Sequence, residues 1–161
     1  MEVIFRDNKI VEINGARILW PNFEGREGKF NREGERSFNV LIPTEEIADS
    51  LCDDVNEDGV GWNVKRREPR DEDDTPLMFL PVKVRFNGRG PKIYLDTNGR
   101  VNLLDEDTVG ILDNIDISHV DMDIRPFDNF VNDKPYRTAY LQSMCVYQNV
   151  DRFAERYAEE E

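Results

Sequence analysis

The chain has 161 residues, 21 Lys and Arg against 34 Asp and Glu, and a formal net charge of -13. That length suits one domain with a core of its own. The charge argues against a uniformly basic coat on phosphates, because Lys and Arg supply most nucleic-acid affinity. Two Trp, nine Phe and five Tyr are too many large apolar groups for a chain that stays disordered.

Short alternating apolar runs dominate, which is the strand signature. KIVEI (9–13) and ARILW (16–20) flank Asn14-Gly15, a pair that predicts a hairpin. RSFNVLI (36–42) sets Phe38, Val40 and Ile42 on one face, and Pro43 ends it. Thr44 then opens a helix, with Glu45 and Glu46 in its first turn and Ile47, Ala48, Leu51 and Val55 at helical spacing. WNVKR (62–66) and PLMFLPVKVRF (76–86) follow, the second placing Leu80, Val82, Val84 and Phe86 opposite Phe79, Lys83 and Arg85. Beyond the turn NGRG (87–90), KIYLDT (92–97) alternates, 105–112 reads as a short acidic helix, and ISHVDMDIRP (117–126) and YRTAYLQSMCVYQ (136–148) are the last strands. This order lacks a strand–helix–strand rhythm. It predicts a mainly β fold: an OB-fold-like five-stranded barrel with an N-terminal hairpin extension and one or two short helices. A single domain is expected over 1–150, with an acidic C-terminal tail over 151–161.

The charge is segregated. Residues 44–58 and 105–123 each carry seven acids and no base, and DEDD fills 71–74. The tail carries five acids against two bases. With those blocks set aside the remainder is +8, so an anion can be bound on one face of a protein that is negative overall.

No secretory signal opens the sequence and no apolar run nears the roughly 20 residues that span a bilayer, so a cytoplasmic, membrane-free protein is expected. Cys52 and Cys145 form neither a disulfide framework nor a CxxC site. Asp54-x-Asn56-x-Asp58-Gly59 begins like a calcium loop, but its twelfth position is Lys65, where a bidentate carboxylate is required. His119 is the only histidine. No phosphate loop is present, so neither a catalytic group nor a cofactor is expected.

The basic, aromatic set remains. Residues 20–36 form a glycine-punctuated loop that interleaves Trp20, Phe23 and Phe30 with Arg26, Lys29, Arg32 and Arg36. Phe79, Lys83 and Arg85 share one strand face, as do Lys92 and Tyr94. Single-strand binders need this mixture: cations follow phosphates and flat rings stack on unpaired bases. The competing reading has the aromatics in the core and the bases paired with Glu24, Glu27, Glu33 and Glu35.

FEGREGKFNREGERSFNVLI (23–42), GWNVKRREPR (61–70), LPVKVRFNGRGPKIYL (80–95), DEDTVGILDNIDISHVDMDIRPF (105–127) and YRTAYLQSMCVY (136–147) together resemble phage-encoded single-stranded DNA-binding proteins in order and spacing. The resemblance implies an OB-fold barrel that coats transient single strands in phage DNA replication, recombination or repair. It implies a strand path along Phe23, Arg26, Lys29, Phe30 and Arg32 and along Lys65, Arg67, Lys83, Arg85 and Lys92. Arg36, Phe79, Arg89 and Tyr94 complete the candidate set. Replication or recombination proteins are expected to meet the acidic tail, whose AERYAEEE lacks the terminal apolar anchor common in such tails, and a homodimer is compatible with the edge strands. Two other readings compete: an acidic protein-interaction module, such as a DNA mimic or virion component, and a Mg²⁺-dependent nuclease built on Asp121 and Asp123.

Overall fold

Period-two burial builds this molecule, seen here in a computed structural model that describes residues 1–29, 31–69, 76–88 and 90–150. In chain order the strands are β1 (Glu2–Phe5), β2 (Val11–Ala16), β3 (Ile18–Asn22) and β4 (Arg36–Leu41). The helix α1 (Glu45–Asp53) follows, then β5 (Lys65–Arg67), β6 (Leu77–Val84), β7 (Lys92–Thr97) and β8 (Arg100–Leu104). A 3₁₀ helix (Val109–Asp113) precedes β9 (Ile117–Val131) and β10 (Lys134–Gln148). In β6, Met78, Leu80, Val82 and Val84 are buried while Phe79, Pro81 and Lys83 face outward. The inward residues of β2, β4, β6, β7, β9 and β10 make one core, in which Ile13, Phe38, Leu80, Ile93 and Ile124 are fully enclosed. Each such side chain contributes about 1.5–3 kcal/mol.

Hydrogen-bonded neighbours run β1-β2-β9-β10-β6-β4-β3, with β5 added to β6 and β7–β8 added to β10. No ladder joins β2 to β3, so hydrogen bonds do not close the sheet. Those two strands are nevertheless separated by Arg17 alone: Ala16 pairs with Val120 of β9, and the Arg17 carbonyl accepts from the Leu41 amide of β4 at 2.9 Å. One bent segment therefore stands at both ends of the path, the arrangement of a partly open OB-like barrel. Its five staves are β2 with β3, β4, β6, β10 and β9; β1, β5, β7 and β8 are additions.

The expected hairpin at Asn14-Gly15 is corrected. Gly15 has φ +66°, as a turn requires, but it lies inside β2, at a register shift in the β2–β9 pairing. The positive φ serves a bulge that bends the strand, and Asp121 Oδ1 accepts from the Gly15 amide at 2.8 Å. The N-terminal hairpin is instead β1–β2. The helix begins as its sequence indicates, the Thr44 hydroxyl accepting from the Ile47 amide. After the helix, the Asn56 side chain accepts from the Asp58 and Val60 amides, so the calcium-like segment is a capped turn.

β9 and β10 are joined through Asn132 and Asp133, both at positive φ. Beyond Arg125 the pair leaves the core, and most of its side chains are exposed. This arm is tethered at its base by Arg137, the only buried polar or charged residue among the described residues. Its guanidinium donates to both oxygens of Asp128, at 2.7 and 3.2 Å, and to the Asp54 carbonyl at 2.7 Å, and it lies over the Trp62 ring. Asn63 also donates to the Tyr136 hydroxyl at 2.7 Å.

Candidate nucleic-acid interface

The outward side of β3, β4, β6 and β5 forms a shallow face. Register sets Ser37 against Lys83, Asn39 against Pro81 and Lys65 against Phe79. These residues, with Arg85, line a groove of about 640 Å³. Trp20 stands at its end. A register shift between Leu19 and Asn22 gives Trp20 a φ of +48°, and its indole is half exposed. Positive φ at so bulky a residue is strained, a conformation that concentrates at functional positions. The indole meets Phe79 edge-on, and the Arg67 guanidinium lies over the indole at 6.0 Å.

Lys65, Arg67, Lys83 and Arg85 are exposed and have no carboxylate partner among the described residues. Strand alternation turns the intervening Arg66 away to a two-bonded pair with Glu45, which holds that carboxyl below its usual pKa. Cations that meet no carboxylate among the described residues favour a positive potential on that face, despite the negative total.

The face continues onto the arm. Tyr140 is in register with Lys83 on one side and Arg125 on the other. Arg85 and Arg125 lie over its ring at 5.3 and 5.0 Å, and Phe127 meets it edge-on at 6.0 Å. Phe127 and Tyr136 expose their rings further along. In the sequence Trp20 is legible only as the start of the loop, and Arg125, Phe127, Tyr136 and Tyr140 are additions that sequence reading misses. Their signal is the Asn132-Asp133 pair, which extends the last two strands into one hairpin.

The other sequence candidates divide. Phe23 is corrected: its ring is fully buried and stacked on Phe38 at 5.4 Å, so it presents no surface to a base. Arg36 borders the groove, but its guanidinium donates to the Phe23 carbonyl, reaches Glu106 and lies over Phe86. Two asparagine side chains, Asn22 and Asn31, bond to the backbone of the loop between β3 and β4. Asn22 accepts from the Gly25 and Arg26 amides, while Asn31 donates to the Arg26, Arg32 and Glu35 carbonyls. Arg26 is exposed beside Glu24 and Asp113, and Lys29 and Arg32 are exposed at the tip. Lys92 is in register with Ser143, about 10 Å along β10 from Lys83's partner Tyr140 at some 3.3 Å per residue. Tyr94 follows at Cys145, beside Asp121. Phe30, Arg89, the DEDD run and the acidic tail lie outside the described residues.

Asp121 and Asp123 share the outward side of β9, as alternation requires, but Asp121 caps the Gly15 amide and Asp123 accepts from Ser143. Among the described residues no three His, Cys, Asp or Glu side chains converge as metal ligands, and no helix is long and apolar enough to cross a membrane.

The fold has known counterparts. The single-stranded DNA-binding protein from bacteriophage Enc34, in complex with ssDNA, superposes with a TM-score of 0.60 at 13% identity, covering 94% of this chain and 93% of that one. Another structure of the Enc34 protein gives 0.58 at 14% identity, covering 94% and 87%. None of the curated proteins matches the chain in sequence. The family model described as "Putative phage ssDNA-binding domain" matches residues 2–160, and the chain belongs to that family.

Proposed function

We propose that the protein binds and coats single-stranded DNA along the face from Trp20 to the arm, without catalysis and largely without regard to sequence. Lys65, Arg67, Lys83 and Arg85 follow the phosphates, with Arg26, Lys29 and Arg32 reaching from the loop, while Trp20 and Phe79 stack on bases at about 1–3 kcal/mol each. The observation that carries this reading is the set of four exposed cations that have no carboxylate partner among the described residues, beside a strained, exposed indole. Arg26 pairs with Glu24 as the competing salt-bridge reading requires, while Arg36 pairs with Glu106 outside that set, and the four face cations have no carboxylate partner among the described residues. Membership of the family and the ssDNA named for the Enc34 complex support the same ligand.

The setting is phage-type DNA replication, recombination or repair in the cytoplasm of a host cell. The tail 151–161 competes for the basic face and recruits replication or recombination proteins, and copies pair through an edge strand such as β1.

Titration of oligo-dT with the double variant Lys83→Ala, Arg85→Ala tests the reading. Affinity falls, and the slope of log K against log salt flattens by roughly 0.7 for each phosphate no longer neutralised. Unchanged affinity removes the strand face from the path.

A further inference from the structure

β10 changes partners partway along. Ala139 and Tyr140 pair with β6, and from Ser143 onward the neighbour is β7. Between them Gln142 is left out of the β9 register, and residues 85–88 and 90–91 of the connector lie outside the strands. Such bulges re-aim side chains beside functional sites. The connector turns back so tightly that a Cβ on Gly90 would come within 2.8 Å of the Phe86 Cα. The result is a pocket of about 280 Å³ lined by Arg85, Asn87, Gly90, Arg125, Leu141 and Gln142.

Its lining specifies a ligand. Two guanidiniums line it, Arg85 from the connector just after β6 and Arg125 from β9, both held over Tyr140 and neither facing a carboxylate among the described residues. Asn87 and Gln142 add neutral amide donors. Arg forks suit the planar, two-bonded recognition of phosphoryl oxygens. The volume lies below the roughly 300–1,000 Å³ of sites for drug-sized ligands, which favours a phosphoryl group over a whole nucleoside.

We infer that the Arg85–Arg125 pocket is a phosphoryl-binding site at the junction of barrel and arm, fixing one phosphate of the strand where its path passes from the groove to Phe127. This rests on the proposed single-strand path and adds to it a defined anchor that uses Arg125, Asn87 and Gln142. The phosphoryl group is either an internal diester or a terminal monoester.

The test titrates Arg125→Met against dT oligomers carrying a 5′-hydroxyl or a 5′-phosphate, across a salt series. Expected are an affinity about tenfold lower, as for removal of one hydrogen bond between charged groups, and a salt slope flatter by roughly 0.7. Equal weakening on both oligomers assigns the internal diester; weakening confined to the phosphorylated one assigns the terminal group. Affinity lowered with an unchanged slope reduces Arg125 to packing on Tyr140 and overturns the site, as does no change at all. Asn87→Ala, in the exposed connector, is the second variant: about threefold weaker binding is expected, and wild-type affinity overturns the pocket even if Arg125→Met folds poorly. Failure of the wild-type protein to bind any oligomer would strike the single-strand reading itself, a distinguishable outcome.

Discussion

The indole of Trp20 meets the ring of Phe79 edge to face, with centroids 5.0 Å apart and planes at 87°. Phe79 is set by the alternation of β6, whereas Trp20 reaches it through a strained bulge in β3. The pair joins two strands that are not adjacent in the sheet, since β4 lies between them. It offers one exposed stacking surface at the end of the groove.

Fluorescence isolates that surface. The protein has two Trp, and Trp62 is 2% exposed while Trp20 is 49% exposed. Oligo-dT should quench only Trp20 emission. Trp20→Phe should abolish the quench and keep most of the affinity, whereas Trp20→Ala should weaken binding by about 1–3 kcal/mol. Quenching that survives in Trp20→Phe would place the bases elsewhere.

Phe23 belongs to the core despite its place in the glycine-rich loop. Phe23→Ala should destabilise the protein by about 3–5 kcal/mol, the range for a buried Phe reduced to Ala. Its folded fraction should bind oligo-dT as the wild type does. Thermal unfolding and titration below the lowered midpoint measure both, and an unshifted midpoint with weakened binding would return Phe23 to the strand path.

The contrast between Phe79 and Phe23 shows what sequence can carry. On a regular strand, alternation fixes which side chains face out, and Phe79, Lys83 and Arg85 are legible together. In a loop no period exists, and Phe23 turns inward because its amide and that of Glu24 are anchored by Asp113, 90 and 89 positions away. Gly15 is legible as a positive-φ site but not as a bulge, because a turn and a bulge ask the same of glycine. The spacing of buried Val11, Ile13 and Ala16 does record the shift, one residue longer than alternation allows. The arm escapes sequence reading because its exposed apolar residues, Phe127, Phe130 and Val131, are not members of the core that alternation records.

The Arg137–Asp128 pair fixes a pH dependence. Hydrogen bonds from Arg137 hold the Asp128 carboxyl below its ordinary 3.8. A lowered folded-state pKa gives stability that is present above the unfolded value and lost as pH falls through the folded one. Acid unfolding below about pH 4 should therefore include a contribution that Asp128→Asn removes, measured as a shallower decline of stability on acidification. Arg137→Met should cost about 1–3 kcal/mol, since it removes the donor to the Asp54 carbonyl and to the exposed Asp128 carboxylate at the base of the arm. Parallel acid profiles for wild type and Asp128→Asn would show that the pair does not titrate with folding.

One rival, hydrolysis assisted by Mg²⁺, meets a specific obstacle at Asp121. One of its oxygens is taken by the Gly15 amide, where it stabilises the bulge that bends β2. A carboxylate serving that bend should matter to stability and not to reaction. Asp121→Asn keeps a side-chain oxygen that can accept the same bond, so it should shift unfolding by no more than about 1 kcal/mol. Oligo-dT affinity should be the same in EDTA as in Mg²⁺, apart from the general effect of ionic strength, and the oligomer should be recovered intact. Metal-dependent shortening of a labelled single strand that disappears in Asp121→Asn would reverse the assignment, making that carboxylate a reacting group.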